Sequence, residues 1–202
     1  MLDRAATALL KPLLDAGAAV LARRGVGADA MTIAGFAIGL LGAASIVAGH
    51  PLWALLLILA SRLADGLDGA IARCTRPTDR GAFLDITLDF LFYASIPLAF
   101  AIAEPAANAL PAAVLLAAFI GTGSSFLAFA VLAEKRGLAN TALPRKGFYY
   151  LGGLTEATET LICFALMCLA PERFAWWAYG FSVLCSITIA SRIAGGARTL
   201  SR

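Results

Sequence analysis

Charge is scarce in this chain and histidine almost missing. Asp, Glu, Lys and Arg supply 14% of its 202 residues, where a soluble domain carries about 25%. A water-soluble globule is therefore a poor reading of it. The one histidine, His50, sits in a short loop with no partner in the pattern and reads as a solvated residue. Cys74, Cys163, Cys168 and Cys185 show no metal-ligand spacing and read as small hydrophobes, which leaves no disulfide framework to argue from. No period of about 20–50 residues recurs, which argues against a solenoid or an inverted-repeat transporter. A basic face laced with aromatics is also missing, so the net charge of +3 is no nucleic-acid footprint.

What the chain has is apolar length. Hydrophobic residues make up 60% of it, and its mean hydropathy is +0.83. A helix needs roughly 20 apolar residues to cross a bilayer. Six runs meet that length, at about 31–50, 51–72, 81–103, 109–133, 148–170 and 174–195. The expectation is an all-α integral membrane protein, one domain over residues 1–202, with six transmembrane helices. Residues 1–25 carry Asp3, Arg4, Lys11 and Asp15 where a cleavable signal would keep an unbroken apolar core. Leucines at 2, 9, 10, 13, 14 and 21 recur at helical spacing instead, which predicts an amphipathic interfacial helix that Pro12 kinks or splits.

Lysine and arginine set the orientation. Arg4, Lys11, Arg23 and Arg24 precede the first span, and Arg73, Arg76 and Arg80 lie between the second and third. Lys135, Arg136, Arg145 and Lys146 lie between the fourth and fifth, and Arg192, Arg198 and Arg202 close the chain. The opposite loops hold only His50, Glu104, Glu172 and Arg173. The positive-inside rule then places both termini in the cytoplasm. Tyr149 and Tyr150 are expected at that interface, with Trp176 and Trp177 at the far one.

Against this background the acids stand out. An Asp at a helix centre in the bilayer costs about 2.5–3.5 kcal/mol, so such residues face cavities and find partners. Asp65 and Asp68 close the second span, while Asp85 and Asp89 open the third, near the cytoplasmic interface. At 3.6 residues per turn, Asp65, Asp68, Gly69 and Ala72 share one face, with Arg62 at its edge. Gly81, Asp85 and Asp89 share a face of the next helix. The short loop between makes the helices antiparallel neighbours, so the four carboxylates can converge. Oxygen-only ligands suit a hard cation, Mg²⁺ or Mn²⁺, and two ions would fit a phosphoryl-transfer centre. Small residues beside the acids allow either close helix packing or the approach of a base and its phosphates to the backbone.

Taken together, Asp65-x2-Asp68-Gly69-x2-Ala72-Arg73 followed by Gly81-x3-Asp85-x3-Asp89 resembles the signature of the CDP-alcohol phosphotransferases, D-x2-D-G-x2-A-R-x8-G-x3-D-x3-D. The loop from Cys74 to Arg80 is one residue shorter than the family's. The family's P-N-x2-T before the first span is matched only at Thr32 of Ala28-Asp29-Ala30-Met31-Thr32, with Asp29 left as an N-cap. The segments GTGSSFLAFAVLAEKRGL and KGFYYLGGLTEATETL look like a bacterial inner-membrane branch of the family, and not like its phosphatidylglycerophosphate, phosphatidylserine or phosphatidylinositol-phosphate synthases.

The resemblance implies a phosphatidyl transfer from a CDP-linked lipid, typically CDP-diacylglycerol, to a small alcohol, with release of CMP. It implies divalent metal at Asp65, Asp68 and Asp85, with Asp89 also in reach and acting as general base. CDP would meet Thr32, Asp65, Gly69, Ala72, Arg73 and Gly81. The family is often homodimeric. For the acceptor, Glu156 and Glu159 are either polyol ligands or structural partners of Arg62 or Arg192, and Arg192 and Lys146 are first candidates for a phosphate such as that of glycerol phosphate. The rival function is a divalent-cation channel or transporter, which would want its acids near the midplane instead of at one interface.

Overall fold

A computed structural model describes residues 2–137 and 153–201, with side chains from residue 9 onward. Among these residues the chain is all helix: α1 (Leu2–Arg23), α2 (Ala28–Val47), α3 (Pro51–Cys74), α4 (Asp79–Ala103), α5 (Pro105–Lys135), α6 (Ala157–Leu169) and α7 (Phe174–Leu200). A 3-10 turn, Pro171–Arg173, joins the last two. Four of them, α2, α4, α5 and the turn with α7, are long and apolar enough to cross a membrane. The expected span at 51–72 corresponds to α3, which carries Arg62, Asp65, Asp68 and Arg73, whereas in the run at 148–170 the helix α6 starts only at Ala157 and has 13 residues, too short to cross a membrane alone.

The helix boundaries follow local chemistry. Gly25 and Gly49 take φ of +80° and +79°, the left-handed turn that ends α1 and α2. In both turns the following N–H returns to a carbonyl five residues back, Val26 to Leu21 at 3.1 Å and His50 to Ser45 at 2.8 Å. Thr78 caps α4, its hydroxyl accepting from the Gly81 N–H at 3.0 Å. Glu156 caps α6 in a reciprocal capping box with Glu159, whose carboxylate accepts from the Glu156 N–H at 3.1 Å.

Two departures from expectation concern the N-terminal half. Helix α1 runs through Pro12 without a break. Among its described side chains, Leu14 lies against Gly66 and Gly17 against Leu67, with Ala18 buried against Ala70 and Ile71. Asp29 does not cap α2. Gly27 holds that position, and Asp29 sits in the first turn, where Arg80 reaches it at 3.4 Å.

Small residues bring α2 and α3 together. A Cβ at Gly35 would lie 3.1 Å from the Ala64 Cβ, and one at Gly42 would lie 3.3 Å from the Leu57 Cβ. This close backbone approach is how helices associate where burial from water offers no drive. Aromatics fill the centre: Phe92 and Phe119 meet Phe164 edge-on at 6.3 Å, and Phe100 stacks on Phe174 at 4.7 Å. Leu56, Ile120 and Val183 lie exposed on the outer surface, as a lipid-facing helix bundle requires. Trp176 is exposed, whereas its neighbour Trp177, expected at the far interface with it, packs on the core.

Candidate active site

The acids of α3 and α4 come together because both helices pack against α2, not because they lie side by side as the short loop between them predicts. One carboxylate oxygen from each of Asp65, Asp68 and Asp85 lies within 4.8 Å of the other two. Asp89, which lines one small hollow with Asp65 and Asp85, pairs with Arg62, whose Nη1 donates to its Oδ1 at 2.5 Å and lies 3.5 Å from the Asp65 Oδ1. The Arg62 guanidinium also donates to the Ser61 hydroxyl at 3.3 Å and sits over the Phe92 ring, 3.9 Å from its centroid. Thus Arg62 pairs with aspartates of the motif.

The trio fits a cation. Asp68 is only 3% exposed, and its Oδ2 is buried with no hydrogen-bond partner among the described residues. A buried carboxylate oxygen left that way costs stability unless a positive charge meets it. A hollow of about 10 Å³ lies among Thr32, Arg62, Asp65, Asp85 and Asp89, enough for about one water-sized occupant. The donors are all oxygen, the chemistry that Mg²⁺ and Mn²⁺ prefer.

Two larger cavities flank the acids. The first, about 410 Å³, is lined by Asp68, Gly69 and Ala72 of α3, by Gly81 and Asp85 of α4, and by Asp29 and Thr32 of α2. Gly69 faces open space, since a Cβ there would touch only the Arg73 Nη1 at 3.3 Å. Arg73 itself stands at the rim, 3.9 Å from Asp15 of α1. Thr32 is buried, donates to the Ala28 carbonyl at 3.1 Å and lines this cavity beside Asp68. Asp65 borders the small hollow instead of this cleft.

The second cavity, about 320 Å³, opens on the other side of Asp89 and is lined by Tyr93, Thr122, Phe126, Thr155, Glu156 and Arg192, among others. Arg192 is buried, with its Nη1 donating to the Thr122 carbonyl at 3.0 Å and its guanidinium 5.6 Å from the Phe126 centroid. Thr188 accepts from Leu154 and Thr155, which fixes the segment leading into α6 beside Arg192. Glu159 is engaged by the capping box and lines an apolar groove between α6 and α7 instead. Lys146, with Arg145, Tyr149 and Tyr150, lies outside the described residues.

Several lining residues escape a reading of the motif alone. Tyr93 follows Asp89 by four residues and so shares its face, a spacing legible in the sequence. Asp29, Arg76 and Thr78 join the first cavity only through tertiary packing.

Known proteins bear on this geometry. Over residues 26–188 the chain matches the sequence model of the CDP-alcohol phosphatidyltransferases. The inner membrane protein YnjF of Escherichia coli (strain K12) is 52% identical over 200 residues, which cover 99% of this chain and 97% of that protein. The crystal structure of Mycobacterium tuberculosis phosphatidylinositol phosphate synthase (PgsA1) with manganese and citrate superposes with a TM-score of 0.72 at 22% identity, over 91% of this chain and 88% of the other. The same enzyme with CDP-DAG bound superposes with a TM-score of 0.69 at 22% identity, over 92% and 94%. The aspartates on α3 and α4 lie inside the matched region, and the chain belongs to the CDP-alcohol phosphatidyltransferase family, a family of phosphotransferase enzymes.

Proposed function

We propose that the protein transfers the phosphatidyl group of a CDP-linked lipid, CDP-diacylglycerol first, to a small alcohol and releases CMP. The observation that carries this reading is the position of the acids, between a cleft walled by Gly69, Ala72 and Gly81 and a second cavity walled by Arg192 and Glu156. One cavity suits the nucleotide, the other the acceptor, and their volumes lie within or close to the usual range for ligand sites. That a protein of this fold has been crystallised with CDP-DAG, and with manganese, supports the same assignment.

Asp65, Asp68 and Asp85 would hold Mg²⁺ or Mn²⁺. When bound, the metal supplies the positive charge that draws electron density from a pyrophosphate. Gly69, Ala72 and Gly81 let the nucleotide lie on the helix backbones, with Thr32 beneath it and Arg73 at the rim for a phosphate. Asp89, bordering the second cavity, takes the proton of the acceptor hydroxyl. The acceptor oxygen then bonds to the lipid-bearing phosphorus, and the bond from that phosphorus to the CMP oxygen breaks. Arg192 offers a buried guanidinium to an anionic acceptor such as a polyol phosphate. Glu156 offers a carboxylate edge to its hydroxyls.

The chain would be a multi-pass protein of the bacterial inner membrane. Helix α3 and the run at 148–170, of which α6 is one part, would complete six spans, α1 lies at the interface, and the cleft with both termini faces the cytoplasm, where the basic loops stand. The family match disfavours a cation channel.

The test is CMP release by the purified protein with CDP-diacylglycerol, Mg²⁺ or Mn²⁺ and a panel of alcohols. Metal-dependent CMP is expected, and Asp89→Asn should abolish turnover while sparing CDP binding. No metal-dependent CMP with any pairing refutes the assignment, and equal loss of binding and turnover refutes the role of Asp89.

A further inference from the structure

The first cavity has two levels along the helices that wall it. Asp68 and Asp85, whose carboxylates gather at the cation place, lie about one helical turn from Ala72 and Gly81. On α2 the same step separates Thr32 from Asp29. The phosphates of a nucleotide belong at the level of the acids and the cation. Its base then falls at the level of Asp29, Ala72 and Gly81, where Pro77 and Thr78 close the wall.

Two hydrogen-bonding groups stand ready at that level. Asp29 is half-buried, and the exposed Arg80 reaches its Oδ2 at 3.4 Å. The Asp29 Oδ1 lies over Gly81, 3.1 Å from where a Cβ would stand, and no hydrogen-bond donor among the described residues meets it. The Thr78 hydroxyl stands 3.2 Å from the same point. It accepts from the Gly81 N–H at 3.0 Å and keeps its own proton to donate. An acceptor from the start of α2 and a donor from the start of α4 thus flank one small residue.

This pair has a polarity, because a carboxylate can only accept. Cytosine offers an exocyclic amine, the donor that Asp and Glu accept, beside ring acceptors that a hydroxyl can serve. Uracil carries a carbonyl in place of the amine. Its oxygen would face the Asp29 oxygen with no proton between them, which leaves two acceptors unpaired. An asparagine, which the family's P-N-x2-T pattern has at this position, can turn either end of its amide to a base. Asp29 cannot.

Resting on the reading of this cleft as the nucleotide site, we propose that Asp29 is a specificity-determining residue whose Oδ1 takes the exocyclic amine of cytosine and so selects cytidine over uridine nucleotides. Thr78 donates to the neighbouring ring acceptors. Arg80 holds the carboxylate in direction through Oδ2 and offsets the charge that Asp29 would otherwise set against the diphosphate.

The experiment is calorimetric titration of the full chain in detergent with CDP and with UDP, at saturating Mn²⁺, alongside thermal unfolding. The wild type is expected to bind CDP about 5-fold to about 150-fold more tightly than UDP, the discrimination of a good base contact. Asp29→Ala should weaken CDP binding and leave UDP binding no weaker. Asp29→Asn, whose amide can donate to a carbonyl, should gain UDP affinity. Both should melt close to the wild type, since a surface ion pair contributes little. Equal binding of CDP and UDP by the wild type overturns the proposal, as does an unchanged ratio in either variant. Should the variants not fold, the wild type is titrated with the diphosphate of pyrimidin-2-one riboside, which lacks the amine. Weaker binding than CDP is expected, and an affinity equal to that of CDP overturns the proposal. Equal CDP and UDP binding together with metal-dependent CMP release would remove only this inference. No binding of CDP at all would remove the nucleotide reading with it.

Discussion

One methyl group, added at either of two glycines, separates the roles that small residues play here. Gly69 and Gly39 both lie within helices, where replacing Gly by Ala is worth about 0.5–1 kcal/mol of stability by itself. At Gly69 the new Cβ meets only the end of the flexible Arg73 side chain, at 3.3 Å, and otherwise projects into the 410 Å³ cleft. Gly69→Ala should therefore fold at least as well as the wild type. If the nucleotide lies on that backbone, the methyl overpacks the complex, which typically costs about 1–3 kcal/mol. That range corresponds to weakening of CDP binding by about 5-fold to about 150-fold. At Gly39 the same methyl stands 2.5 Å from the Phe92 ring and 2.9 Å from the Ser61 Oγ, so the cost of about 1–3 kcal/mol falls on the folded protein. There it outweighs the propensity gain, and the melting temperature should fall. The assay pairs calorimetric binding of CDP with thermal unfolding in the same detergent. Unchanged CDP affinity in a well-folded Gly69→Ala would refute the placement of the nucleotide on α3. A melting temperature for Gly39→Ala above that of the wild type would refute the tight α2–α4 contact.

Asp68→Asn should behave in opposite ways with and without metal. It removes a charge from a buried oxygen that lacks a partner, so in EDTA the variant should melt no lower than the wild type, yet lose the stabilisation that added Mn²⁺ confers. A Mn²⁺-induced rise in melting temperature equal to that of the wild type would show that Asp68 is not a ligand. At Glu156 the cap and the cavity can be told apart. Glu156→Ala loses the capping interactions and should cost about 1 kcal/mol in thermal unfolding, whereas Glu156→Gln keeps an accepting oxygen and should retain stability while raising KM for the acceptor alone. An unchanged acceptor KM in Glu156→Gln would confine the residue to its cap.

Much of this protein is legible in one dimension, for definite reasons. Apolar runs dictate helices because a bilayer leaves no other home for unpaired backbone groups. The spacing of Asp65, Asp68 and Gly69, and of Gly81, Asp85 and Asp89, dictates shared faces because the helical period is fixed. The meeting of these faces was not legible in the same way, since the short loop predicts α3 and α4 as packed neighbours and the acids instead converge where both helices pack on α2.

Other assignments needed partners remote in sequence. Glu156 and Glu159 look like a site motif, and their spacing is equally that of the capping box they form. Asp29 resembles a cap, but the turn after Gly25 puts the cap of α2 at Gly27, two residues earlier, and leaves Asp29 to Arg80. Arg62 illustrates the division most fully. Helical spacing puts it at the edge of the acid face and cannot say which acid it chooses. That choice depends on Phe92, which sits over the guanidinium only because Gly39, on a third helix, leaves the ring its space. The sequence by itself determined the helices, the faces and the family, since these depend on local period and residue type. The tertiary structure decided which three aspartates gather and which two an arginine pairs with, because that outcome depends on the packing of side chains from three helices within a few ångströms.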